Sequence, residues 1–249
     1  MSAREPLPPV GGERVGQRRE RAARLMAALH ATYPDTRVAL HHESPFQLLI
    51  AVILSAQCTD ERVNQVTPAL FEAYPTAEAM AAAPLDDLER LVQPTGFFRQ
   101  KAKNIRAGAQ RIAEVYGGSI PDTLDELITI PGAARKTANV VIANCFPDHA
   151  AGIAVDTHVQ RIARRMGLTR SWEPTKVEAD LVRLLDRSEW NHVTHLMIDH
   201  GRAVCRAPLP RCEECPLAIA TACPSFGLHA ARRARGRSSG QGARRRNGG

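Results

Sequence analysis

The sequence predicts an all-α protein on three observations. Nearly every periodic apolar pattern between residues 18 and 204 has helical spacing, and no stretch alternates convincingly over five residues as a half-buried strand would. Aromatic residues make up only 4% of the chain. The connections are short and marked by Pro or Gly, and no internal repeat of fixed period is present.

Residues 1–17 open the chain; with three prolines and three glycines in its first sixteen positions, this segment reads as a disordered leader. A helix over Arg18–Tyr33 is stopped by Pro34, and Ser44 with Pro45 forms an N-cap and first-turn pair ahead of a helix over Phe46–Ser55. Helical spacing continues through Asp60–Ala73, Thr76–Ala83, Asp86–Val92 and Arg99–Tyr116. It resumes through Thr123–Thr129, Ala134–Cys145, Thr157–Met166, Pro174–Leu185 and Ser188–Val204.

With 249 residues, 44% of them hydrophobic, the chain has material for one large core or two smaller ones. Its longest apolar stretches, such as Phe46–Ser55, are too short to span a bilayer, which argues against a membrane role. The net charge of +7 suggests an anionic partner, but its distribution is uneven. Seven arginines and no acid lie between His229 and Gly249, so residues 1–228 are formally neutral and any nucleic-acid face on them must be a local patch. Residues 229–249 are Gly-, Ser- and Arg-rich, cannot build a core and are expected to be disordered, serving either phosphate affinity or solubility.

Four of the six cysteines, Cys205, Cys212, Cys215 and Cys223, fall within nineteen residues. Four thiolates at loop-length spacing suit either a tetrahedral zinc or an iron–sulfur cluster. Only Cys212 and Cys215 form a C-x2-C pair, whereas structural zinc usually uses two such pairs or mixed Cys and His; the pattern therefore favours a [4Fe-4S] cluster. With no secretory signal, the thiols imply a reducing cytoplasm.

Upstream, Pro131 and Gly132 make a tight turn between two short helices: Pro131 fixes φ, and Gly132 can take the positive φ that such hairpins often need. The second helix begins directly afterwards, so its N-terminal N–H groups face outward as a seat for phosphate. Twenty residues beyond Lys136, Asp156 stands at another helix start, where it can cap.

With these features in order, the chain resembles the endonuclease III family of helix-hairpin-helix DNA glycosylases. The motifs are Ser55-Ala-Gln57-Cys-Thr-Asp60, Gly96 with the residues after it, Pro131-Gly with Arg135-Lys136-Thr-Ala, Val155-Asp156-Thr-His158, His200-Gly-Arg202 and the four cysteines. Together they span about 40 to 225. The resemblance implies a six-helix barrel domain over 38–148 that carries the hairpin, and a [4Fe-4S] cluster domain from 18–37 and 149–228. It also implies a monomeric enzyme acting on double-stranded DNA that contains oxidised pyrimidines or abasic sites. In that reading Lys136 is the nucleophile and Asp156 the assisting carboxylate. Gln57 fills the gap left by the extruded base, and Phe97 is the candidate wedge, with core burial as its structural alternative. Gly132, Ala134 and Arg135 belong to the DNA-binding hairpin.

Asp60 and His158 fall at the base pocket, although Asp60 also reads as a helix cap and His158 as a structural histidine. Lys101, Lys103, Arg106 and Arg111 read as a solvated helix face, and His192, His195 and His200 as helix-surface or core residues. Two positions depart from the family pattern. Ala134 stands where the hairpin usually has a second glycine, at a cost of about 1 kcal/mol if φ there is positive. The last cysteine gap is seven residues instead of five, so the loop through Pro216–Ala222 is expected to bulge. Two rival readings are an adenine-removing mismatch glycosylase, whose members generally lack the lysine, and a noncatalytic DNA-binding or redox-sensing protein.

Overall fold

A computed structural model describes residues 8, 11–217, 223–226 and 228. The regular structure among them is entirely helical, and no helix there is long and apolar enough to cross a membrane. The expectations for residues 229–249 and for most of the 216–222 loop lie outside the described residues, as does most of the leader. The chain divides into two compact units, residues 37–154 and residues 1–36 with 155–249.

The 37–154 unit is built around α2 (Pro45–Leu54), eight of whose ten residues are buried. A helix this apolar on every side belongs inside a core. Its start is fixed as expected: Ser44 Oγ accepts the Gln47 N–H at 3.2 Å, with Pro45 in the first turn. Threonines at 59, 76 and 123 cap α3 (Asp60–Ala73), α4 (Ala77–Ala81) and α7 (Leu124–Leu127) in the same way. The helix α5 (Leu85–Val92) precedes α6 (Phe98–Tyr116), which packs on α2, α4 and α5, while α8 (Arg135–Cys145) packs on α2 and α7. Leu48, Ile50, Leu88, Ile105, Ile112 and Leu127, all fully buried, belong to the resulting single apolar core.

The second unit comprises α1 (Val15–Thr32), α9 (Thr157–Arg165), α10 (Pro174–Leu184) and α11 (Val193–Ala203). Both α1 and α9 pack against α10 and α11. Here α1 begins inside the expected leader. Arg14 N–H donates to Gln17 Oε1 at 3.0 Å, and the Glu13 carboxylate pairs with the buried Arg21 guanidinium at 2.7 Å, which holds the first turn in place. The helix expected over Ser188–Val204 is also broken: a 3-10 turn over Arg187–Glu189 precedes α11. The cause is tertiary, because the Trp190 indole donates to the Leu185 carbonyl at 3.3 Å and His30 of α1 binds Glu189 at 2.8 Å.

Candidate active site and cysteine centre

In the 37–154 unit, the hairpin between α7 and α8 closes with the Ala133 N–H bonded to the Ile130 carbonyl at 2.9 Å. Gly132 has φ +88° as expected, and packing requires glycine there as well, since a Cβ would lie 3.1 Å from Asn104 Cβ and 3.2 Å from Ile53 Cδ1. Gly108, midway along α6, completes the seat: a Cβ there would come within 3.0 Å of the Pro131 carbonyl oxygen. Ala134 requires a correction. Its φ is −72° and ψ 165°, ordinary extended backbone, so alanine carries no left-handed penalty. As the N-cap of α8 it offers no side-chain acceptor to the first turn. Arg135 and Lys136 follow as the first two helical residues, both exposed.

Gln57 and Phe97 share a rare feature. Among the described residues they are the non-glycine positions with positive φ, +53° and +48°. For side chains of this size the left-handed region costs roughly 1–2 kcal/mol, and such outliers gather at functional loops. Gln57 is exposed, and Phe97 is 68% exposed, so the core alternative for Phe97 does not hold, whereas Phe98 packs partly against the core. Asp60 is the first residue of α3, where Thr59 supplies the cap.

Lys101 also departs from expectation. It is not on a solvated face but only 4% exposed, with Nζ donating to the Leu54 carbonyl at 2.7 Å and the Thr95 carbonyl at 2.8 Å. Burial lowers its pKa from the ordinary lysine value, with Cys58 opposing.

In the other unit, Asp156 caps α9, its Oδ1 accepting the Val159 N–H at 2.8 Å. His158 is half-buried with Nδ1 3.1 Å from Arg161 Nη2, and it lies over Gly201, where a Cβ would meet that ring nitrogen at 2.5 Å. Glycine at 201 therefore lets α9 and α11 approach closely.

Cys205, Cys212, Cys215 and Cys223 line one small cavity, together with Met166, Val204, Leu217 and Phe226. None of the six cysteines is in a disulfide. Among the described residues no group of three or more His, Cys, Asp or Glu is gathered as it stands to hold a metal ion; the four thiols surround shared space instead. The donor set fits an iron–sulfur group, with four sulfurs, no lining carboxylate and a buried cation beside them.

That cation is Arg165, which donates to Cys205 Sγ at 3.4 Å and to the carbonyls of Cys205, Arg206 and Pro208 at 3.1, 2.8 and 3.2 Å. Burial pushes the Cys223 thiol up to about 12 and also raises Cys205, with the Arg165 guanidinium opposing the shift at Cys205. His200 is a core residue, as one of its expected readings held. It is 1% exposed, with Nδ1 3.0 Å from the Tyr33 hydroxyl and Nε2 3.8 Å from Cys215 Sγ, and burial pushes its pKa down to about 4.

The sequence reading missed Lys101, Arg165 and Gly108. A signal existed for two of them: Lys101 falls on the helical stripe of Phe98, Ile105 and Ile112, and Gly108 is a glycine inside a long helix, which usually marks a close approach.

Residues 50–187 match the family model of the HhH-GPD superfamily base excision DNA repair proteins. Endonuclease III of Synechocystis sp. is 47% identical over 212 residues, covering 85% of this chain and 95% of that protein. Endonuclease III of Bacillus subtilis is 45% identical over 187 residues, covering 74% and 84%. A solved structure of a trapped endonuclease III–DNA covalent intermediate aligns with a TM-score of 0.77 at 39% identity, covering 84% of this chain and 97% of that one. The hairpin, the lysine that follows it, the capping aspartate and the four-cysteine cavity thus occur in a chain that belongs to the endonuclease III family of the HhH-GPD superfamily.

Proposed function

We propose that this protein is a bifunctional DNA glycosylase and AP lyase of base excision repair, acting as a monomer on duplex DNA and removing oxidised pyrimidines through a Schiff base on Lys136. The observation that carries this reading is an exposed lysine in the first turn of the helix after the Pro131-Gly132 hairpin, in a chain similar to an enzyme trapped covalently on DNA. The neutral Lys136 amine attacks C1′ of the damaged nucleotide; the N–C1′ bond forms as the glycosidic bond breaks and the base leaves with a proton. The sugar ring opens to an imine. Loss of a C2′ proton then expels the 3′ phosphate by β-elimination, and water releases the enzyme. Asp156 assists by taking and returning protons, Gln57 and Phe97 occupy the space vacated in the stack, and Asp60 and His158 border the base. Gly132, Ala134 and Arg135 present the start of α8 to a backbone phosphate.

Iron–sulfur clusters are general in this family, and we assign the [4Fe-4S] form here, held by Cys205, Cys212, Cys215 and Cys223. When bound, the cluster supplies cross-linking of the segment around these cysteines; the proposed chemistry uses Lys136 and Asp156, which lie outside it in sequence. Residues 18–37 and 149–228 are then the cluster domain, and 38–148 the barrel domain. Protein purified without oxygen is expected to be yellow-brown with about four irons per chain. Stoichiometric zinc without iron would sink the assignment.

Lys136→Gln is expected to abolish both excision and strand cleavage while retaining affinity for abasic duplex, and Asp156→Asn to slow turnover by about 10² or more. Borohydride trapping on abasic DNA is the decisive measurement, because only an imine becomes permanently attached. An adduct formed by the glutamine variant would mean that another amine is the nucleophile.

A further inference from the structure

Gln57 and Phe97 lie on separate loops, three residues beyond Leu54 and two beyond Thr95. The carbonyls of Leu54 and Thr95 are both held by the Nζ of Lys101, at 2.7 and 2.8 Å, in a setting only 4% exposed. One buried ammonium therefore joins the end of α2 to the 3-10 turn over Gln93–Thr95, just before each chain enters the left-handed region. Charge-assisted bonds to two carbonyls, made away from water, fix backbone more firmly than neutral ones. We propose that Lys101 is a positioning residue that holds the two loops in mutual register so that Gln57 and Phe97 enter the DNA together. This rests on the glycosylase reading, with those two side chains as the inserted groups. A lysine that merely filled the core would be replaceable by an unbranched apolar chain of similar length without effect on base extrusion.

The test uses full-length, cluster-loaded Lys101→Met, one atom shorter, similarly unbranched and unable to donate. Its duplex carries thymine glycol beside 2-aminopurine, whose fluorescence rises on unstacking. The variant is expected to lose roughly ten- to hundredfold in single-turnover excision and most of the fluorescence rise. Borohydride trapping on a preformed abasic duplex, where no base must be evicted, is expected to stay within about twofold of the parent. Adding Phe97→Ala to Lys101→Met should then cost little more, since both changes disable one insertion step.

Should the methionine variant not fold, Lys101→Arg replaces it. The wider guanidinium keeps charge and donors but must displace the two carbonyls, and the same non-additivity with Phe97→Ala is expected. Full excision and fluorescence in a folded variant, additive losses with Phe97→Ala, or trapping lost in parallel with excision would each overturn the positioning role. Absence of any adduct with the parent protein would overturn the enzymatic reading itself, and this inference with it.

Discussion

At Ala134 the backbone decides a question that the residue type left open. The family's glycine suggests a left-handed requirement, and restoring glycine then looks like a way to tighten DNA binding. With φ at −72° alanine carries no such strain, and Ala134→Gly is expected to leave affinity for abasic duplex unchanged at fixed salt. What alanine does forgo is a cap. Ala134→Ser should place a hydroxyl at the first-turn N–H groups of α8 and stabilise the fold by about 1 kcal/mol, measured as a higher midpoint of thermal unfolding. If those N–H groups receive a phosphate, as proposed, the serine oxygen competes for them, and abasic-duplex affinity should fall while stability rises. Tighter binding by the serine variant would place the phosphate elsewhere.

At the scale of elements, the helices were legible because long apolar periodicity and paired caps agree, as at Ser44 with Pro45 in front of α2. The break before α11 was not legible, because it depends on the Trp190 indole reaching back to Leu185 and on His30 binding Glu189 from a helix about 160 residues away in sequence. The same divide runs through the site. Motif order singled out Lys136, Asp156 and the cysteines as candidates, whereas Lys101 read as a solvated-face cation and Arg165 drew no notice until packing showed both buried.

Arg165 is the stronger organiser of the two in its own unit. From the last turn of α9 its guanidinium gathers three carbonyls and one sulfur of the Cys205 loop, and its own carbonyl accepts the Ser225 hydroxyl. Arg165→Met keeps the apolar stem but removes the donor to the Cys205 sulfur and to the Arg206 and Pro208 carbonyls, while Arg161 Nε still serves the Cys205 carbonyl at 3.2 Å. Losing the buried part of this set costs roughly 1–3 kcal/mol. The expected outcome is a marked loss of visible absorbance and iron per chain, with thermal unfolding at lower temperature. Unchanged iron content would show that the four cysteines organise their loop without the arginine.

For the whole molecule, fold and charge address different partners. The described helices belong to a formally neutral stretch, so in the proposed function recognition there falls to the hairpin, the two left-handed residues and local cations such as Arg135 and Lys136. The whole excess of +7 sits in residues 229–249, a segment of seven arginines and no acid. Phosphate contacts made by such a segment are independent of sequence and lesion, and each contributes about 0.9 to the slope of log affinity against log salt.

Deleting residues 229–249 is therefore expected to flatten that slope for undamaged duplex by up to about 6 and to weaken nonspecific binding most at low salt. Because the tail carries none of the residues assigned to chemistry, the single-turnover rate at saturating lesion duplex should not change. Titrations of full-length and truncated protein at several salt concentrations, alongside trapping on abasic duplex, separate the two effects. A slope that survives truncation would assign the phosphate contacts to the folded units and leave the arginines a solubilising role.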